Sequence, residues 1–415
     1  MSIEATTETL VRALDGSELQ FAAVGYCVGY SVCVHGVLEL ESLTEAFTTL
    51  QTANPVLSCR IVASALGGAA LARAGDAPYI RVRDNAYSAT GSTGIGHRTA
   101  GIEVQYEDVD TAWVTLLIHH AIADAGHALR MVEDLWRYYT AAIDGREVAV
   151  QRQPYPQSTE FILRHHGIDD VDPRPEADPV TAARDSSTTP NSTAAPVGLV
   201  RLTSEQTRAV IELGHAAGAT VNGLVSAALL CAVADAAEVD LPEVRYSFPV
   251  DLRSRLEPPV GLTEATNMLS MARFAPPPGS SADLLELARA VTGKLACDLA
   301  DGSLTRYYFY PSDQIAAWQA EYSYRPATVS ATNWGVIPEL VTPDSLIVRD
   351  FRPHPQVTDP VGASVMTPLA PYYVLFIYTF QGQLSITGLA PSAAEAEELA
   401  ELLRHQLHRL TSLST

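Results

Sequence analysis

Two adjacent histidines, His119 and His120, close an apolar run, and Asp124 follows four residues after the second. A neutral imidazole is the natural proton acceptor near neutral pH. The run Trp113-Val114-Thr115-Leu116-Leu117-Ile118 predicts a buried strand. Asp124 is a suitable N-cap, and Ala128, Val132, Leu135 and Tyr139 recur at helical spacing after it. The pair therefore falls at a strand end just before a helix, where a side chain can be anchored and still face a cleft. Adjacent strand residues point to opposite faces, so one histidine does the chemistry and the other supports it. The small residues Ala121, Ala123, Ala125 and Gly126 leave room for a substrate to approach the backbone.

The same residues admit a metal reading. His119, His120, Asp124 and His127 are all possible ligands, and His120 and Asp124 stand at i, i+4. Against it, the histidines fall on strand and turn, and no further His, Cys or Glu cluster completes a ligand set. No metal is expected. A second pair, His165-His166, lies where a helix runs into a polar stretch, with no buried strand before it. It reads as a solvated helix end.

The elements that must position the motif are legible in outline. Tyr26 to Val34 predicts a strand, and Ser42 with Glu45 predicts a capped helix whose Leu43, Ala46, Phe47 and Leu50 share a face. Asn54-Pro55 ends it, and Val56 to Val62 predicts the next strand. Gly167 to Pro196 is rich in Asp, Pro, Ser, Thr and Ala and reads as a flexible crossover linker. Beyond it, Val197 to Val200 predicts a strand and Ser204 onward a helix. Leu224 to Ala234 predicts a buried core helix capped by Thr220 or Asn222, and Arg245 to Val250 another strand. Asp283 to Leu299 predicts a helix, Tyr372 to Phe380 and Leu384 to Ile386 a hairpin, and Ser392 to Leu410 a closing helix. The mixture is α+β, with one domain over 1–166, the linker over 167–196 and a second domain over 197–415.

The bulk properties narrow the function classes. A chain of 415 residues has room for two domains. Its net charge of −21 and dispersed basic residues give no nucleic-acid face. No stretch is long and apolar enough to span a bilayer, and the N-terminus lacks a secretory layout. The five cysteines are scattered, without Cys-x-x-Cys spacing, as in a reduced cytoplasmic protein.

His119-His120-x-x-x-Asp124 resembles the HHxxxDG motif of the condensation-domain and chloramphenicol-acetyltransferase-like superfamily. More closely, the chain resembles the polyketide-associated acyltransferases. Gly36-Val37-Leu38, Leu43, Ala46-Phe47, Leu50 and Asn54-Pro55-Val56-Leu57 fit that family's first strand–helix–strand. Pro249-Val250-Asp251-Leu252-Arg253 and Pro258 through Asn267 resemble its second-domain pattern. The resemblance implies two acetyltransferase-like domains with a channel at their interface and His120 as general base. The substrates are an acyl thioester, on CoA or a phosphopantetheinyl carrier protein, and an alcohol, with no bound cofactor and no acyl-enzyme. It implies that Asp124 is architectural and pairs with an arginine, for which Arg253 is the first candidate and Arg255 the second. His119 and Gly126 support the motif. Asn267 and Asn333 are candidate oxyanion or substrate contacts, and Asn333 lies where plant relatives carry a structural DFGWG loop. The chain departs from the motif at Ala125, which replaces its glycine, with Gly126 one step later. An alanine there is strained if the loop needs a positive φ, and unstrained if the helix simply starts at that residue.

The expected activity is O-acylation of a polyketide- or lipid-type secondary metabolite. Amide formation by a freestanding condensation enzyme, a metal-dependent hydrolase and a non-catalytic binding protein of the same fold are the alternatives.

Overall fold

A computed structural model describes residues 9–64, 67–75, 77–83, 94–168, 195–310, 321–322, 326–357 and 372–413. Most of the expected linker lies outside the described residues. In chain order the first part carries β1 (Thr9–Ala13), α1 (Gly16–Ala22), β2 (Tyr26–Gly36), α2 (Leu40–Ala53), β3 (Cys59–Ala63), β4 (Ala69–Arg73), β5 (Ile80–Arg83), β6 (Ala100–Tyr106), β7 (Thr111–His119), α3 (Ala125–Ile143) and α4 (Thr159–His165). Then follow β8 (Ala195–Arg201), α5 (Ser204–Ala217), α6 (Val221–Ala236), β9 (Arg245–Asp251), β10 (Leu269–Phe274), α7 (Leu284–Ala300), β11 (Thr328–Val336), β12 (Leu346–Val357), β13 (Tyr373–Phe380), β14 (Gln383–Ala390) and α8 (Ala393–Ser412).

The chain divides into two compact units. The first is Met1–His166 with Arg253–Met268 and Pro338–Ala363; the second is Gly167–Leu252, Leu269–Ile337 and Ser364–Thr415. A linear cut along the sequence does not anticipate the two later segments that join the first unit. One of them supplies β12, which pairs antiparallel with β2 from Leu346↔Gly36 to Val357↔Tyr26. Such a pairing spans three hundred residues and leaves no local trace.

In the first unit the main sheet has the order β12-β2-β7-β6-β5, and β1-β4-β3 form a smaller one. β7 is central in the main sheet. Its run from Ala112 to His119 is buried, as the apolar pattern requires. α3 packs against α2, and each helix buries an apolar stripe that includes Val132, Leu135, Trp136 and Tyr139 on α3 and Leu43, Phe47 and Leu50 on α2.

Two local expectations are corrected. α2 starts at Leu40, not Ser42, with Glu39 as N-cap. The Glu39 backbone N–H donates to the Tyr139 hydroxyl at 3.1 Å, so a partner on α3 sets the helix start. The expected strand from Val56 begins only at Cys59, because Pro55–Ser58 forms a 3-10 turn. Thr99 Oγ1 donates to the Val56 and Cys59 carbonyls at 2.6 and 2.9 Å and holds that turn.

In the second unit six strands run β10-β9-β11-β13-β14-β8. α6 is buried from Gly223 to Ala234 and packs against α7 and α8, which accounts for its being apolar all round. Thr220 Oγ1 caps it, accepting from Gly223 N at 3.0 Å. Among the described residues no single helix is long and apolar enough to cross a membrane.

Candidate active site

β7 delivers His119 and then stops. His119 N donates to the Thr99 carbonyl at 2.9 Å, and His120 N donates to the Tyr26 carbonyl at 2.8 Å. Both histidine backbones are thus tied to the chain on either side of β7. Ile122 N donates to the His119 carbonyl at 3.0 Å and closes a turn over 120–122. The strand end separates the two side chains. His119 is 2 % exposed, and its Nδ1 accepts from Ala121 N at 3.1 Å. Burial, with lesser contributions from His120 and His97, holds its pKa down at about 3. It is a neutral structural ring.

His120 stands in the turn and is half-buried. Its imidazole stacks on Phe21 of α1, with ring centroids 4.2 Å apart and planes within 13°. Tyr26 stacks behind at 5.5 Å. This aromatic pair fixes the plane of the imidazole. Sequence reasoning missed both, because no local pattern says that α1 reaches the motif. Burial lowers the His120 pKa; its own carbonyl, the Asp124 charge and Asn267 pull the other way. The ring is neutral at pH 7, which is the state a general base needs.

Asp124 is fully buried and fully used. Oδ1 accepts from His127 N at 3.1 Å and caps α3. Oδ2 accepts from Arg253 Nη1 at 2.7 Å and from Met268 N at 2.9 Å. Asp124 N donates to the Thr266 carbonyl at 2.8 Å. The carboxylate therefore fastens the start of α3 to both ends of the segment Arg253–Met268. Arg253 is 4 % exposed, so this is a buried ion pair. Removing either partner strands a charge, at a cost of about 3–5 kcal/mol. The same segment is held from α1: Thr266 Oγ1 donates to the buried Glu18 at 2.9 Å, and Glu18 also pairs with Arg12.

Ala125 is the first helical residue of α3, and it is not among the described residues with positive φ, so the departure from the motif is unstrained. Gly126 follows inside the first turn. A Cβ there meets Asp124 Oδ1 at 3.5 Å and Leu262 Cδ2 at 3.6 Å, ordinary contacts.

Asn267 lies beside the motif, 2 % exposed. Its Nδ2 donates to the His120 carbonyl at 2.7 Å. Asn333 lies elsewhere, exposed on β11 of the second unit. Its Nδ2 donates to Asn222 Oδ1 at 3.1 Å, and its Oδ1 accepts from Gly335 N at 2.9 Å, across a bulge in the β11–β13 pairing. The structure does not bring Asn333 and the histidines into one unit. Arg255 is in the same short turn as Arg253 but is exposed. Among the described residues no three His, Cys, Asp or Glu side chains are grouped to hold a metal ion. His119 Nδ1 and both Asp124 oxygens already accept hydrogen bonds from the protein.

Residues 191–389 match the family model described as "Phthiocerol/phthiodiolone dimycocerosyl transferase C-terminus". The phthiocerol/phthiodiolone dimycocerosyl transferase of Mycobacterium tuberculosis is 27% identical over 365 residues, covering 83% of this chain and 86% of that one. The chain is an acyltransferase related to these enzymes. In fold, the acyltransferase matches polyketide synthase associated protein 5 from Mycobacterium tuberculosis with a TM-score of 0.76 at 24% identity, over 98% of this chain and 100% of that one. It also matches trichothecene 15-O-acetyltransferase from Fusarium sporotrichioides, with a TM-score of 0.65 at 12% identity over 99% and 96% of the two chains. The acyltransferase thus has the two-domain, chloramphenicol-acetyltransferase-like α+β fold.

Proposed function

We propose that this acyltransferase moves an acyl group from a thioester to a hydroxyl of a polyketide- or lipid-type secondary metabolite, with His120 as general base. One observation carries the reading. Both motif histidines are neutral, but only His120 is offered at a turn, held in plane by Phe21, and partly open. The donor is acyl-CoA or an acyl group on a phosphopantetheinyl carrier protein, and the enzyme needs no resident cofactor. The reading places the protein in the cytoplasm.

The imidazole takes the proton of the acceptor hydroxyl as its oxygen attacks the thioester carbonyl. The tetrahedral intermediate collapses, the carbon–sulfur bond breaks, and the imidazolium returns the proton to the departing thiolate. The protein gains and loses no atoms, and no acyl group is attached to it. Alignment of the two substrates and proton transfer carry the rate.

The test is incubation with a panel of acyl-CoA and acyl-carrier thioesters and alcohol acceptors, with mass detection of the ester. Amines run in parallel, and amide in place of ester would favour a condensation enzyme. His120→Ala and His120→Gln should largely abolish transfer while the protein stays folded. Parental turnover in both variants would overturn the base assignment. Loss of ligand binding rather than of turnover in His120→Ala would point to a non-catalytic binding protein.

A further inference from the structure

A base that takes a proton becomes a cation, and His120 does so where burial disfavours charge. We propose that Phe21 is a positioning residue whose ring face stabilises the imidazolium that His120 becomes once it holds the acceptor's proton. This rests on the reading of His120 as the base.

The geometry begins with α1. Glu18 and Phe21 stand one helical turn apart on it, and Glu18 is wholly buried. Its carboxylate accepts from Arg12 Nη1 at 2.8 Å and from Thr266 Oγ1 at 2.9 Å. Ser17 is fastened as well: its N–H and its hydroxyl donate to the two carboxylate oxygens of Glu160 on α4, at 2.7 and 2.6 Å. The short helix is thus pinned at two consecutive residues, to α4 and to the segment that clamps Asp124. Phe21 has little freedom to leave the motif. Its ring and the His120 ring are stacked at 4.2 Å, nearly parallel. Tyr26 lies 5.5 Å from the imidazole and 6.0 Å from Phe21, too close to Phe21 to occupy the opposite face of the imidazole. Phe21 alone of the two covers a full face of the base.

The face of a phenyl ring carries negative charge density and attracts a cation within about 6 Å of its centroid. A neutral imidazole gains far less from it. The contact therefore strengthens as the proton arrives, which is the condition for lowering a barrier. The other groups around the ring are committed elsewhere. Asp124 favours the charged ring, but its oxygens accept from His127 N, Met268 N and Arg253. The Asn267 amide nitrogen is spent on the His120 carbonyl. His119 is neutral, its pKa held down at about 3, and Tyr26 keeps its phenol proton, its pKa raised to about 12 by burial. A carboxylate in the place of Phe21 would draw a proton onto the resting ring and fill the base. A phenyl face is weaker and neither takes nor gives a proton. It supports the cation in passing and leaves the resting ring neutral.

The experiment is a nitrogen NMR titration of the whole protein labelled at histidine, with His120→Gln used to assign the His120 signals. It runs beside kcat and KM for the acyl-CoA and alcohol of the panel that yield ester. Phe21→Leu keeps the site apolar and removes the ring. It should lower the His120 pKa by roughly 0.5–1.5, move the acid limb of the kcat/KM profile to lower pH by the same amount, and lower kcat roughly 2–30-fold with KM little changed. Phe21→Trp presents a stronger face and should raise that pKa while keeping turnover. If Phe21→Leu does not fold, phenylalanines with one, two and three ring fluorines at position 21 keep the shape and drain the face, and the His120 pKa should fall with each fluorine. A Phe21→Leu protein that loses turnover with the His120 pKa unchanged or raised would overturn the proposal, because the contact would then be packing alone. So would a fluorinated series with a flat pKa. Parental turnover in His120→Gln would remove the base itself, and this role with it, whatever the titration shows.

Discussion

The chain carries the dipeptide His-His twice, and the two copies have opposite surroundings. His119-His120 follows a buried strand, and each backbone N–H is tied to a different neighbouring segment. His165-His166 ends α4, with His165 exposed and tilted against the exposed Phe161, ring centroids 4.2 Å apart. Its Nδ1 contacts are to the carbonyls of Phe161 and Glu257, at the surface. The first pair has a buried carboxylate four residues on, paired with a buried arginine. The second has no such anchor among the described residues. Two identical dipeptides differ in environment because one is held by a frame that separates its rings, burying one and presenting the other.

Turnover should break the symmetry most sharply. His120→Gln should lower kcat by roughly 10²–10⁴-fold, the usual contribution of a general base, whereas the double variant His165→Gln/His166→Gln should keep parental rates. Equal losses in the two proteins would mean that the frame is irrelevant. The frame itself can be removed at Asp124. Asp124→Asn should cost about 3–5 kcal/mol in urea unfolding, because Arg253 is left buried and charged. A change near zero would show that the pair is not structural.

Acid distinguishes the pairs more gently. His119 and His127 have folded pKa values held down to about 3 and about 4, chiefly by burial, against an ordinary 6.5. Below 6.5 the unfolded chain binds protons that the folded chain does not. Stability is therefore full above that pH and falls as pH drops toward 4, by about 1.4 kcal/mol per pH unit for each such histidine. Unfolding free energies from urea titrations at pH 7, 6 and 5 check this, and replacing the buried His127 should flatten the slope. The smallest effect belongs to Gly126. Gly126→Ala should leave the unfolding free energy in urea unchanged or raise it by at most about 1 kcal/mol, since a Cβ fits and alanine favours a helix. Destabilisation would show that the start of α3 is tighter than its contacts suggest.

Much of the site was legible because its frame is local. An apolar run that ends in two histidines, followed by a capping aspartate and a 3.6-residue apolar stripe, specifies strand, turn and helix within thirty residues. The separation of the two rings follows from where that strand stops. The difference between His119-His120 and His165-His166 was readable for the same reason, since one pair follows a strand and the other a helix. The missed boundaries are instructive. Leu40 and Glu41 join α2 because Tyr139, a hundred residues later, takes the Glu39 N–H. A capping pattern at Ser42 contains no information about that partner.

The amino-acid order alone determined which residues could do chemistry here and the local elements that carry them, because hydrogen-bond caps and hydrophobic period act over a few residues. Arg253 could be named as the partner of Asp124 only through family resemblance; the 2.7 Å contact, 129 residues apart, belongs to the folded chain. Tertiary structure alone decided that Phe21 would lie on the imidazole, that β12 would extend the β2 edge, and that Asn267 would grip the His120 carbonyl. Those outcomes depend on which distant surfaces exclude water together, and burial is a property of the whole packed unit rather than of any window of sequence.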